Sequence, residues 1–366
     1  MAIPPGSRPL CTLLQSSPPA RVSSVNAPVQ SLDDLRQRFG TEESCRDFLA
    51  HLRWRDGFVC PTCSGRQAWK TAGGLSACAE CSRQVSVTAA TPLHGARVPL
   101  PTWFQLAWIL TGKDPTPNAL RLQESLGLGS NRTTLRCLRT VRQALGDMSR
   151  VAVSAMPLYP EVVEVGEIVV GLPAQPRQWR VPGRGVHVAV AVEVWRKEAR
   201  LVRLRTVRGP WREDAVAFVH EAVSPGSFIR TDNHARLPSL GKHGYLHQQV
   251  AIWGDMPSDR PLPGDRERLR QLLPKVHWVA EELDRWLVGT YHGAVAPEWM
   301  DGYLNEFMVR YNLVPRIDHG RLWRRLLQSL VGVVPSDLED MVELVVVRRR
   351  RRRVRRGVPG HKRLRH

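Results

Sequence analysis

Two closely spaced pairs of cysteines constrain the fold of this chain more than any other feature of its sequence. Cys60 and Cys63 form one C-x2-C pair, Cys78 and Cys81 form the second, and 14 residues separate the pairs. Each pair can bind one side of a tetrahedral ion through its sulfur atoms, and the residues between the pairs can form the hairpin of a zinc ribbon. Because four thiolates fill the tetrahedron and leave no position for water, we predict a structural Zn²⁺.

The net charge indicates a polyanionic partner. The 366 residues contain 53 Lys and Arg against 34 Asp and Glu, and the formal net charge of +19 favours nucleic acid. Eleven of the basic residues, and no acidic one, lie in the tail Arg348–His366. This tail predicts nonspecific phosphate binding, and a low-complexity extension without a selected role is an equal alternative.

The sequence contains no evident membrane span or export signal. The most apolar run, Val98–Leu110, is interrupted by polar residues and is shorter than the roughly 18 residues that a span needs. Residues 1–30 lack the apolar stretch of a secretory signal. We therefore predict a cytoplasmic protein without membrane contact, in which Cys11, Cys45 and Cys137 are reduced thiols outside the metal site.

The spacing of the apolar residues predicts an α+β multidomain protein. Apolar residues recur at helical spacing up to about residue 150, and beyond residue 160 they alternate with the period of strands. The predicted units are a disordered leader (1–30), a helical segment with the zinc ribbon (31–98), a helix-turn-helix region (99–150), a mixed α/β domain (160–330) and a C-terminal extension with the basic tail (331–366).

The helix-turn-helix prediction depends on residues 119–145. A short helix over 119–126 and a second helix from residue 130 to about 145 are separated by a Gly-Leu-Gly turn. Arg132, Arg136 and Arg139 fall on one side of the second helix, where they suit a DNA groove and its phosphates. Two antiparallel helices in a plain helical domain are the alternative interpretation.

The order of these motifs resembles that of a large group of bacterial insertion-sequence transposases. The N-terminal likeness lies in the ribbon, with Arg-Trp-Arg-Asp-Gly-Phe-Val-Cys-Pro at residues 53–61, and the C-terminal likeness lies in residues 285–295 and 303–307. The resemblance extends over residues 32–327. It implies a ribonuclease H-like domain of the DDE type, whose acidic residues hold two Mg²⁺ or Mn²⁺ ions for DNA cleavage and strand transfer.

Two of the acidic positions of that family fall on predicted strands. Asp232 matches the second, because it follows the apolar strand 227–231 at the end of the sheet. The first aspartate of the family is replaced by Gly166. Glu164 lies on the same strand face and is a partial substitute, but it is displaced by roughly 6.6 Å, while Glu167 points to the opposite face. That displacement is large for a catalytic site, so we expect impaired chemistry.

The third acidic position is expected on the predicted helix 276–289. Alignment on the Trp-Leu-x-Gly-Thr string places His277 there, and Glu282 is the alternative. The plainest interpretation of Glu281, Glu282 and Asp284 is a solvated helix face.

The resemblance also concerns residues that would face phosphates. Asp284 stands where the family has a lysine, and Leu313 replaces the second of two arginines that follow Glu306. The first of these arginines, Arg310, is retained, and we expect it to contact DNA.

Together these observations give two main hypotheses. The first is a transposase-class protein that binds double-stranded DNA, namely the terminal inverted repeats of its element and its target, as at least a dimer. Its catalytic centre would use Mg²⁺ or Mn²⁺ and is expected to be impaired. The second is a noncatalytic DNA-binding relic or domesticated regulator on the same scaffold. An RNA-associated zinc-ribbon protein is a weaker third hypothesis, because the second helical block is typical of a duplex reader.

Overall fold

The computed structural model describes most of the chain between residues 27 and 333. The described ranges are 27–71, 73–154, 162–170, 185–207, 211–232, 240–250, 271–291 and 297–333. The predicted basic tail and nearly all of the predicted leader lie outside these ranges. Of the leader, residues 27–30 are described, and Val29 is buried, with its carbonyl oxygen 2.7 Å from where a Cβ at Gly320 would stand.

Nine α-helices and two β-sheets make up the described part of the chain. The helices are α1 (Leu32–Arg38), α2 (Glu42–Arg53), α3 (Leu100–Thr111), α4 (Ala119–Ser125), α5 (Asn131–Ser154), α6 (Trp211–Ala222), α7 (Pro274–Tyr291), α8 (Met300–Asn312) and α9 (His319–Leu330). The strands are β1 (Ala68–Lys70), β2 (Ser76–Cys78), β3 (Gln84–Val85), β4 (Val162–Val170), β5 (Val186–Trp195), β6 (Glu198–Thr206), β7 (Phe228–Asp232) and β8 (Leu246–Val250). No helix within these ranges combines the length and the apolar character needed to cross a bilayer.

Side-chain caps explain where many of the helices begin. In five helices a polar residue just before the helix accepts a hydrogen bond from the backbone N–H three residues later, which satisfies a group that the helix itself leaves unpaired. These capping residues are Ser31, Thr41, Asn118, Ser130 and Asp318. Helix α5 continues to Ser154, beyond the predicted end near residue 145.

The larger sheet has five strands in the order β6-β5-β4-β7-β8. Strand β5 is antiparallel to both of its neighbours, β4 and β6, whereas β7 is parallel to both β4 and β8. Arg196 and Lys197 both have positive φ in the two-residue turn between β5 and β6, which is typical of a tight hairpin. The mixed sheet confirms the predicted α+β class and fits the ribonuclease H-like architecture that the resemblance implies.

Helices cover both faces of this sheet. The alternation of side chains along β4 sends Val163 and Val165 into a core shared with α5 and α6, and sends Ile168 and Val170 into a second core with α7 and α8. The sheet edge at β6 is covered by α8, because the amide of Asn312 hydrogen bonds to both the N–H and the C=O of one residue of that strand. The functional residues on β4 therefore lie deep inside the domain.

Helix α9, the last helix of the described residues, packs in the core of the N-terminal helices, whereas the sequence predicts it as the end of the mixed α/β domain. Trp323 of α9 is 2% exposed and lies among Phe39, Phe48 and Phe104, with ring centroids 5.6 Å from each. Its indole N–H donates to the carbonyl of Phe104 at 3.0 Å. The helical core is thus built from both ends of the described chain.

A fully buried carboxylate joins this helical core to the sheet domain. Glu306 of α8 accepts hydrogen bonds from Arg142 of α5 at 2.9 Å, from Arg310 at 3.2 Å and from the hydroxyl of Thr116 at 2.5 Å. Burial acts to raise the pKa of Glu306, but the two guanidinium groups beside it outweigh burial and lower the pKa below its ordinary value. The network therefore keeps an ionised carboxylate in the interior.

We predict that Glu306→Gln lowers the free energy of unfolding by about 3 to 5 kcal/mol, because it leaves buried guanidinium groups without a counter-charge. Thermal and denaturant unfolding measure the loss. Glu221→Gln is the matched control, since Glu221 pairs with Arg205 at 2.8 Å on the exposed surface and should contribute less than about 1 kcal/mol. Equal effects of the two variants would contradict the role given to Glu306.

The same network predicts a pH dependence. The folded-state pKa of Glu306 lies below the ordinary value of 4.5, so its stabilisation is present above that value and is lost as the pH falls through the lowered pKa. The difference in Tm between the natural chain and Glu306→Gln should be constant from about pH 8 to pH 5 and should shrink below about pH 4.5. A difference that changes with pH in the neutral range would contradict this assignment.

Candidate functional site

The four cysteines of the two C-x2-C pairs come together as predicted. Their sulfur atoms all lie within 4.8 Å of one another, with Cys60 and Cys81 at 3.7 Å and Cys63 and Cys78 at 3.5 Å. Four sulfurs at Zn–S distances of 2.3 Å stand about 3.8 Å apart, so the quartet fits a tetrahedral Zn²⁺. Within the described ranges, this is the one group of three or more possible metal ligands whose donor atoms converge.

Backbone N–H groups favour the thiolate form of Cys60, whereas the neighbouring sulfur atoms raise the pKa of Cys63 to about 12. The N–H groups of Cys63 and Thr62 hydrogen bond to the sulfur of Cys60 and lower the pKa of its thiol to about 6. Burial instead raises the pKa of Cys45 to about 12 and that of Cys137 to about 11. Cys45 and Cys137 are therefore core thiols, whereas Cys60 is suited to bind a cation.

The strand register places the predicted acidic positions next to each other in the larger sheet. Glu164 of β4 pairs with Arg230 of β7, and the next pair is Val165 with Thr231. Gly166 and Asp232 follow in the same parallel register, and they share the sheet face that carries Glu164. The position of the missing first carboxylate therefore lies beside Asp232.

Glu164, the suggested substitute, binds the beginning of helix α7. It is 2% exposed, and its Oε2 accepts hydrogen bonds from the backbone N–H groups of Lys275 at 2.7 Å and Val276 at 3.1 Å. Burial raises the pKa of Glu164 above its ordinary value, although these N–H groups and Arg230 oppose the rise. The carboxylate thus acts as a helix cap supplied from a distant strand.

Helix α7 closes over Gly166. A Cβ at Gly166 would lie 3.3 Å from Val276 Cγ1 and 3.5 Å from Leu273 Cδ1, and both of these side chains are buried. A distance of 3.3 Å is tighter than that of most Cβ contacts, so a larger residue at this position would require the Val276 side chain to move by a few tenths of an ångström. This packing could not be predicted from the sequence, because Val276 is more than 100 residues away.

The two residues suggested for the third position lie on opposite flanks of α7. Glu282 forms an ion pair with Arg285, and the neighbouring Trp286 packs against Phe307 of α8 at a centroid distance of 5.8 Å. Five residues of helix separate His277 from Glu282 by about 140°, so His277 lies on the flank of α7 that faces away from α8. Glu282 lies on the flank toward α8.

The four arginines suggested for DNA binding fall into two groups. Arg132, Arg136 and Arg139 are exposed on α5, and Arg139 stacks on the Trp299 ring at 3.4 Å from its centroid. The Arg310 side chain is 12% exposed, and its guanidinium donates to the carbonyls of residues 109, 112 and 114 as well as to Glu306. Arg310 therefore anchors the segment before α4, and this geometry argues against a phosphate contact.

We predict about one Zn²⁺ per chain, measured by elemental analysis of the purified protein. Cys60→Ser combined with Cys78→Ser should remove the metal and unfold the ribbon, because structural zinc supplies much of the folding free energy of such small units. Cys137→Ser is the control and should leave the zinc content unchanged. Metal-free natural protein with an unaltered melting profile would rule out a structural ion.

Comparison with known protein families gives two matches. Residues 40–84 match the transposase zinc-ribbon domain, and residues 161–312 match the ISXO2-like transposase domain. Searches of curated proteins and of solved structures gave no significant match. The two domains are in the expected order and together span more than half of the chain, which therefore belongs to the IS1595 family of transposases.

Proposed function

We propose that this transposase binds the terminal inverted repeats of its insertion sequence but is impaired in DNA strand cleavage. The observation that carries the proposal is the replacement of the first carboxylate by Gly166, beside Asp232 and under Val276. DNA recognition and DNA cleavage depend on different parts of the chain, so one can persist without the other. The proposal places the protein with its DNA substrate in the bacterial cytoplasm.

The donor groups near Asp232 do not fit a two-metal centre. Mg²⁺ and Mn²⁺ prefer oxygen ligands, and two-metal phosphoryl transfer needs carboxylates that hold both ions about 3.5 to 4 Å apart. Asp232 offers one such carboxylate, and His277, the residue suggested for the third position, offers a nitrogen instead of an oxygen. The carboxylate of Glu164 is engaged at the start of α7, and apolar side chains fill the space beside Gly166. We therefore propose that Mg²⁺ or Mn²⁺ does not support normal cleavage in this chain.

DNA recognition is proposed for the helix-turn-helix unit of α4 and α5. Gly127 has φ +63° in the turn between the helices, a conformation that glycine adopts readily. The hydroxyl of Ser130 caps the first turn of α5, and Arg132 and Arg136 project from its exposed side. Residues near the start of the second helix of such units contact base edges in the major groove. The zinc ribbon would add contacts on the N-terminal side.

The impairment is tested by a cleavage assay on DNA that carries the inverted repeats flanking the reading frame, with Mn²⁺. We expect no detectable nicking by the natural chain, because loss of one metal ligand removes several kcal/mol of transition-state stabilisation. Gly166→Asp alone should restore little activity, since its side chain meets Val276. Gly166→Asp combined with Val276→Ala makes room for the carboxylate and should restore more, and adding Asp284→Lys should increase it further.

Asp232→Asn in the restored background is the control for this assay and should abolish the recovered activity. Robust nicking by the natural chain would contradict the impairment. If that nicking were lost in Glu164→Gln, Glu164 would be the true metal ligand. A noncatalytic DNA-binding regulator predicts the same DNA binding with no nicking by the natural chain.

We predict that Arg132→Ala and Arg136→Ala each weaken binding to the repeat-containing duplex by ~1 to 3 kcal/mol if they read base edges. Binding is measured by fluorescence anisotropy, with an unrelated duplex to separate specific from nonspecific affinity. Arg205→Ala is the control, because this arginine pairs with Glu221 on the sheet domain. Unchanged affinity in both α5 variants would contradict DNA recognition by the helix-turn-helix unit. A dimer on paired ends should appear as a complex of two chains with two duplexes.

A further inference from the structure

A stripe of exposed polar residues runs along helix α5 well beyond its first turn. Arg132, Arg136, Arg139 and Gln143 follow one another at spacings of four, three and four residues, and all four are exposed. This spacing keeps them within about 60° of one another around the helix. At about 1.5 Å per residue the stripe is about 16 Å long, which exceeds the roughly 12 Å width of the major groove.

The stripe ends against the transposase domain. The guanidinium of Arg139 lies over the ring of Trp299, which closes the short 3-10 helix Pro297–Trp299 before α8 and is 40% exposed. Arg139, Gln143 and Trp299 line a groove of about 540 Å³ between α5 and α8. A partly exposed tryptophan that stacks on an exposed arginine holds the guanidinium plane in one orientation while its N–H groups remain able to reach a ligand.

Buried contacts of helix α5 fix the position of Arg139 relative to the sheet domain. One helical turn further along α5, Arg142 is 4% exposed and is bonded to Glu306. The hydroxyl of Ser329 in α9 donates to the carbonyl of Ala144 at 3.0 Å. Because buried contacts hold α5 on both sides, the stack of Arg139 on Trp299 is set by the packing of the two domains and not by the arginine alone.

We propose that the DNA-contacting surface continues from the helix-turn-helix unit onto the transposase domain, with Trp299 as a positioning residue that orients Arg139 toward a phosphate of duplex DNA. This inference rests on the proposed DNA binding by α5. If the first turn reads bases, a residue seven positions further on lies about 10 Å along the helix, near the edge of the groove where the phosphates are. A pre-oriented arginine binds such a phosphate at a lower cost in side-chain entropy.

An acidic residue that lines the same groove allows a second test, in which the substitution should strengthen DNA binding. Glu298 is exposed next to Trp299 and lines the groove with Arg139. A duplex that lies along this surface brings its phosphates near the Glu298 carboxylate, which repels them. Glu298→Gln should therefore tighten DNA binding, whereas it should have no effect on a duplex that contacts only the start of α5.

The experiment measures binding of a fluorescein-labelled duplex of about 40 base pairs and arbitrary sequence by anisotropy, across a range of KCl concentrations. Arg139→Ala should lower the affinity about 3- to 10-fold and reduce the salt slope by about 0.9, as expected for one lost phosphate contact. Trp299→Leu should lower the affinity about 2- to 5-fold without changing the salt slope, because the charge is retained and only its orientation is lost.

The double variant separates a positioning role from an independent contact. Trp299→Leu should have no further effect in the Arg139→Ala background, and Trp299→Tyr, which keeps an aromatic ring, should bind like the natural chain. Melting temperatures of each variant show whether the fold is intact. If Trp299→Leu does not fold but Trp299→Tyr does, the affinities of Arg139→Ala and Glu298→Gln decide the test.

The outcomes distinguish this inference from the proposed function. Additive losses in the double variant would overturn the positioning role of Trp299. Weakened binding in Arg132→Ala, with natural affinity in both Arg139→Ala and Glu298→Gln, would overturn the extended surface and leave DNA binding by the helix-turn-helix unit intact. Natural affinity in all the arginine variants would refute that DNA binding itself.

Discussion

The ion pair between Glu306 and Arg142 determines how the parts of this protein are held together. A buried carboxylate in a protein interior is tolerated only when positive charges and hydrogen bonds compensate its lost hydration. Here the compensation comes from three separate places in the chain, namely Arg142 of α5, Arg310 of α8 and Thr116 before α4. The network therefore requires α5, α8 and the segment before α4 to adopt one relative position. The helix proposed to read DNA is consequently fixed to the sheet domain.

Features of the structure that depend on residues close together in the chain could be predicted from the sequence. The two C-x2-C pairs predicted the cysteine quartet, and the period of two between residues 162 and 207 predicted three strands of the larger sheet. The alternation along β4 correctly placed Glu164 and Gly166 on one face. In each case the pattern involves residues that are near one another in the sequence, and backbone geometry alone determines how they are arranged.

Long-range packing was not predictable in this way. Glu306 and Arg310 are four residues apart on a helix, a spacing that is typical of an exposed ion pair. Yet Glu306 is fully buried, and the Arg310 guanidinium bonds to backbone carbonyls nearly 200 residues away. The helix α9 has a clear apolar stripe, but the stripe does not identify the aromatic core of the N-terminal helices as its partner. The positions of His277 and Glu282 on opposite flanks of α7 likewise depend on where α8 packs, which the α7 sequence does not identify.

The loss of the first carboxylate and the packing of α7 are physically coupled. A metal-binding aspartate needs polar surroundings, since a carboxylate beside Val276 and Leu273 with no cation would be buried without compensation. With glycine at position 166 that carboxylate is absent, and α7 approaches β4 so closely that its apolar side chains occupy the space. Glu164 stabilises the same approach by capping the first turn of α7. The arrangement thus combines buried apolar contact with a satisfied helix terminus, so the fold does not depend on a carboxylate at position 166. A carboxylate at position 166 would come close to the Val276 side chain, which is why the proposed recovery of cleavage combines a change on β4 with a change on α7.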